Sequence, residues 1–97
     1  MKKVTAGGDL GLIRQTFFMQ MNNKRIPVAK LRELLKYLEK NVPDFFEELR
    51  VDAYSQEIET DKSKWNTRMY HTMELYAVGN FAKARLNNML DIIEHIR

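Results

Sequence analysis

The chain has 97 residues, no cysteine and a formal net charge of +3, with hydrophobic residues at 44% and charged residues at 30%. That length supports one domain with one modest core, the apolar content makes it globular rather than disordered, and the lack of cysteine excludes disulfides, thiolate nucleophiles and cysteine metal sites. The small net charge hides sorting along the chain: residues 1–40 carry nine Lys/Arg and three Asp/Glu, residues 41–61 one and seven, and residues 62–97 six and three.

Residues 1–8 (MKKVTAGG) hold two lysines, two glycines and no repeating apolar pattern, and read as a flexible arm. Asp9 is placed to cap a first helix running to about Asn22. Leu10, Ile13, Phe17 and Met21 share one helical face, Leu12 and Met19 a second, and Phe18 lies on a third. A helix this apolar all round is either covered by the rest of the chain or meets a partner on its outer face. A strand over Thr16–Met21 is the third option, since Phe and Thr also suit a sheet.

Pro27 stands where a helix begins well, because its missing N–H is not needed there. Val28, Leu31, Leu34, Leu35 and Leu38 then form an apolar stripe that predicts a helix to about Asn41. Arg32, Lys36 and Lys40 fall in one sector on the opposite side, flanked by Glu33 and Glu39. A solvated face accounts for such a stripe, and an anion-binding face is the alternative.

Pro43, followed by Asp44, Glu47 and Glu48 in a first turn, predicts a third helix that runs to about Ile58. Its buried stripe is Phe45, Phe46, Leu49 and Ala53. A short turn after the second helix sets the two antiparallel, with basic beside acidic charge. Glu59–Ser63 reads as a loop, with Thr60 or Asp61 capping a fourth helix. Trp65, Met69, Met73 and Tyr76 repeat helically, and after Gly79 and Asn80 the run Phe81, Ala82, Arg85, Leu86, Met89, Leu90, Ile93 and Ile96 resumes the pattern. Gly followed by Asn is the pair expected where one helix ends in a left-handed residue. The reading is a turn there and a fifth helix. The alternative is one uninterrupted helix over 62–96, since a single Gly costs about 1 kcal/mol inside a helix.

Tyr76–Ala84 resembles the inter-helix turn of a tetratricopeptide repeat, in which a Gly, a small polar residue and an aromatic precede an alanine that lets two helices approach. The resemblance implies that Gly79 permits the turn, Phe81 staples it and Ala84 packs. It covers about nine residues, Arg68 and His71 replace the family's aromatic and aliphatic residues upstream, and there is no second copy at 34-residue spacing, so it signals a helical hairpin rather than a solenoid.

The chemistry-bearing residues are sparse. His71 has Glu74 at i+3 and His95 has Asp91 at i−4, which is half a metal site at most. The spacing of Arg68 and His71 is too short for the motif of helical ribonuclease toxins. No phosphate loop, nucleophile elbow or HExxH is present. Read as a DNA-binding helix-turn-helix, the Gly79 turn puts Arg85 where a buried branched residue is needed.

The expectation is an all-α domain over residues 9–97, a compact bundle of four to five helices built from consecutive antiparallel hairpins. The expected function is a non-catalytic protein-interaction module, such as a small adaptor, chaperone or regulatory subunit. It would bind a protein partner or a second copy of itself through Leu12, Phe18 and Met19. The alternative is a nucleic-acid-binding regulator using Lys24, Arg25, Arg32, Lys36 and Lys40 with the Lys2/Lys3 arm. No catalytic residue, cofactor, metal or small-molecule substrate is inferred. The first 20 residues lack a signal-peptide core and no apolar run approaches the roughly 20 residues that span a bilayer. No membrane partner is therefore expected, and the expected location is cytoplasmic.

Overall fold

Four α-helices and no strand make up the regular structure of residues 10–97, which are those described by a computed structural model of the chain. The fold is all-α. The expected arm over 1–8, with Lys2 and Lys3, and the Asp9 cap lie outside the described residues. The chain divides into two units, Met1–Phe45 and Phe46–Arg97.

The first unit contains α1 (Leu10–Met21) and α2 (Val28–Asn41). Pro27 precedes α2 in an extended conformation, as its fixed φ favours. The apolar stripe of α2 sends Leu31 and Leu35 inside, at 0% and 4% exposure. On α1, Phe17 and Met21 are buried. After α2 the chain turns sharply at Asp44, whose φ of 58° lies in the left-handed region. The turn is pinned by Arg14 of α1, which donates from Nε to the Phe45 carbonyl and from Nη2 to the Asp44 carbonyl, each at 2.9 Å.

The second unit is a helical hairpin wrapped by an irregular segment. α3 (Thr67–Gly79) packs on α4 (Lys83–Ile96). The core is supplied by Tyr70, Met73 and Ala77 of α3, by Phe81 and Ala82 of the turn, and by Leu86, Met89, Leu90, Ile92 and Ile93 of α4. The expected break at Gly79–Asn80 is present. Its cause differs from the expected one, because neither residue is left-handed and Asn80 has φ −148°. Glycine is required instead by close approach: a Cβ there would stand 2.6 Å from Ser55 Oγ. Phe81 is buried and stacks on Phe46 with centroids 5.8 Å apart, but Ala84 is exposed, and Ala82 and Ala77 are the small residues inside.

Two further expectations are corrected. The fourth helix does not start near Lys62: Asp61 caps only a single 3₁₀ turn, Lys62–Lys64, and α3 starts at Thr67, capped by Asn66. Trp65 therefore precedes the helix, and its indole N–H donates to the Glu59 carbonyl at 2.8 Å. The third helix over 43–58 is absent, so no hairpin of α2 with an acidic helix forms. Leu49 and Ala53 of its expected buried stripe are exposed. Asp52 shows one reason. Its Oδ1 accepts the N–H groups of Tyr54 and Ser55, both at 2.9 Å, and bends the chain where a helix needs those groups for itself.

The other reason is Arg85, a charged residue in the buried register of α4 at 2% exposure. Its guanidinium donates to Asn80 Oδ1 (3.0 Å) and to the carbonyls of Gln56 (2.7 Å), Ser55 (2.9 Å) and Arg50. Asn80 is buried too. It accepts the Arg50 N–H at 2.8 Å and donates to the Glu48 carbonyl at 2.9 Å. The segment thus satisfies its backbone on two side chains of the hairpin rather than along a helix. Glu47 completes the seam: its N–H donates to the Phe81 carbonyl at 2.8 Å and its Oε1 accepts the Phe81 N–H at 3.0 Å.

Candidate protein-binding groove

α1 has more apolar surface than its unit buries. Leu12 and Met19 are 57% and 65% exposed. At 100° per residue they lie roughly 20° apart on one face, while Phe18 is about 120° round from Leu12. Phe18 is half-buried. Of the three expected interface residues, the helix therefore brings Leu12 and Met19 together and sets Phe18 elsewhere.

Leu12 also forms one lip of a groove within this unit. Leu12, Ile13, Thr16, Phe17 and Gln20 of α1 face Leu34 and Leu38 of α2 around a cavity of about 330 Å³. The lining is almost wholly apolar. The Thr16 hydroxyl is already spent on the Leu12 carbonyl at 2.9 Å, which leaves Gln20 as the main polar group. Leu34 and Leu38 were legible as members of a stripe. That they form a wall opposite α1 was not, because periodicity assigns a face and not the distance to the next helix.

The unit that holds the groove is basic overall, although no charged side chain lines the groove itself. Residues 10–45 carry seven Lys/Arg against three Asp/Glu, and α1 contains no acidic residue. Lys24 and Arg25 are exposed in the connector between the helices. Lys36 and Lys40 are exposed and Arg32 half-buried, on the side of α2 turned away from Leu34 and Leu38. Lys30 lies 4.0 Å from Glu33 with both side chains largely in water, a pairing of little energetic weight.

The second unit also exposes large apolar and aromatic side chains. Leu75 and Val78 of α3 are 70% and 67% exposed, and Tyr54 is 84% exposed. His71 Nδ1 lies 3.3 Å from Glu74 Oε1, as the i+3 spacing implied. His95 instead meets Trp65 edge-on at 5.5 Å. The buried hydroxyl of Tyr70 has no hydrogen-bond partner among the described residues. Its burial, reinforced by the Glu74 charge, pushes its pKa well above the usual tyrosine value. Arg85 was written into the sequence as a lone cation in an apolar register, the signal by which its clamp could have been found.

Among the described residues no helix is long and apolar enough to cross a membrane, and no three His, Cys, Asp or Glu side chains come together to hold a metal ion. No protein-family model matches this chain, and neither a curated protein nor a solved structure matches it.

Proposed function

We propose that this protein is a non-catalytic interaction module, a small cytoplasmic adaptor or regulatory subunit, that takes an amphipathic helix of a partner protein into the groove between α1 and α2. The observation that carries the reading is Leu12, 57% exposed at the lip of an apolar cavity of about 330 Å³, with Met19 exposed on the same helix face. That volume lies in the range in which apolar clefts hold ligands, roughly 300–1,000 Å³. A groove between two helices suits a third helix that lays Leu-type side chains at i, i+3, i+4 and i+7 into it. The net basic charge of residues 10–45, with Lys24 and Arg25 exposed in the connector, favours a partner helix with acidic flanks over one with basic flanks.

The test is a labelled amphipathic peptide with leucines at those spacings and glutamates elsewhere, compared with a version bearing lysines. The glutamate peptide is expected to bind and the lysine peptide to bind more weakly. Leu12→Glu with Met19→Glu is expected to reduce affinity by about tenfold or more, or about 1.4 kcal/mol. Both residues are solvent-exposed, so the variant keeps its fold, which circular dichroism checks. Unchanged affinity in the double variant defeats the proposal. Light scattering identifies a second copy as the occupant if wild type is a dimer that persists in high salt and the variant is a monomer. A nucleic-acid partner is indicated instead by oligonucleotide binding that weakens steeply with salt and survives the double variant.

A further inference from the structure

The second unit contains a groove of opposite electrostatic character. Its floor and inner wall are Met69, Met73 and Tyr76 of α3. Its outer wall is the irregular segment, with Val51, Glu57 and Glu59, around a cavity of about 510 Å³. Val51 is 53% exposed, Glu57 is exposed, and Met69, Tyr76 and Glu59 are half-buried, so the groove is open to solvent. Two polar groups of its apolar side are occupied: the Thr72 hydroxyl donates to the Arg68 carbonyl at 3.1 Å, and the Tyr76 carbonyl accepts both Ser55 Oγ and the Asn80 N–H at 2.9 Å.

The charge along this wall is one-sided. Residues 46–61 carry six Asp/Glu and one Arg. That arginine, Arg50, is already held by Asp52 at 2.7 Å and by the Gly79 carbonyl at 2.9 Å. The one cation of α3, Arg68, shares the outer face of the helix with Leu75.

We infer that this groove binds a partner-protein segment in which a lysine or arginine stands beside an apolar residue. A cationic side chain is two-part, an alkyl stem and a charged head, and the groove is two-part in the same order. Met69, Met73 and Val51 cover the stem, the carboxylates of Glu57 and Glu59 meet the head, and the face of Tyr76 adds a cation–π contact. The methionines accommodate either stem, because their side chains repack readily. A purely apolar segment leaves the carboxylates without a counter-charge, and an acidic one is repelled. This site is built wholly within the second unit and stands or falls independently of the α1–α2 groove.

The experiment is a fluorescence-anisotropy titration of the full chain with a fluorescein-labelled Gly-Leu-Arg-Leu-Lys-Gly peptide and with its glutamate counterpart. The basic peptide is expected to bind, to weaken as salt rises from roughly 50 to 500 mM, and to shift the NMR methyl signals of Met69 and Met73. Glu57→Lys combined with Glu59→Gln is expected to lower affinity by about tenfold or more. Leu12→Glu with Met19→Glu is expected to leave it unchanged. Glu57→Lys alone is the second variant, because it leaves intact the bond from the Asp61 N–H to Glu59 Oε2. No binding at millimolar basic peptide, equal binding of the glutamate peptide, or unchanged affinity in both Glu57 variants overturns the inference.

Discussion

A methyl group at Gly79 would sit 2.6 Å from Ser55 Oγ, and Ser55 is itself fully buried and bonded to the Tyr76 carbonyl. Alanine at this position gains about 0.5–1 kcal/mol of helix propensity. It loses more by displacing a buried hydroxyl from its acceptor, a cost of about 1–3 kcal/mol. Gly79→Ala is therefore expected to lower stability by about 1 kcal/mol in urea unfolding, and to stop being destabilising in a Ser55→Ala background. The Tyr76 carbonyl keeps its bond from the Asn80 N–H in that background, so nothing is orphaned there. Asp52 makes a different residue-level prediction. The Arg50 side chain, followed by the N–H groups of Tyr54 and Ser55, holds its carboxyl below the usual carboxylate value of 3.8. A carboxyl depressed in the folded state contributes its stability above the unfolded value and loses it as pH falls through the folded one. The difference in urea midpoint between wild type and Asp52→Asn is thus expected to be widest at neutral pH and to narrow below about pH 4.

At the scale of elements, the helices α1, α2 and α4 and the break after α3 were legible because each is decided by neighbours within a few residues. Leu31 and Leu35, or Leu86, Met89 and Ile93, declare their buried face by spacing alone. Segment 43–58 was misread for the opposite reason. Phe45, Phe46, Leu49 and Ala53 imitate a helical stripe, but the groups that satisfy this backbone, Asn80 and Arg85, lie some thirty residues away. The candidate groove was half legible. Leu12 stood out as a surplus apolar residue, with Met19 on the same face outside the groove, whereas the opposite wall depends on how near α2 comes to α1. The clamp also yields a prediction. Lysine keeps the charge of Arg85 but cannot reach four acceptors with a planar fork. Arg85→Lys is expected to cost about 2–4 kcal/mol in urea unfolding and to speed amide exchange at Arg50, whose N–H is bonded to the same Asn80 side chain.

Across the whole molecule, a pI of about 9.3 suggests a uniformly basic protein, and the chain is not one. Residues 10–45 have seven bases to three acids, while residues 46–97 have seven bases to nine acids. One pI therefore covers two units of opposite charge balance, and a salt titration of either proposed groove is expected to report on its own unit. The clamp has a further consequence in time. Arg85 meets the carbonyls of Arg50, Ser55 and Gln56 across 29 to 35 residues of sequence, whereas α3 and α4 are joined by three residues. Closing the longer loop costs more chain entropy before any contact rewards it. The hairpin is therefore expected to assemble first, with the wrapping segment docking onto the Arg85 guanidinium afterwards. In kinetic terms such a clamp acts as a latch, and in stopped-flow urea experiments Arg85→Lys is expected to raise the unfolding rate and leave the folding rate nearly untouched.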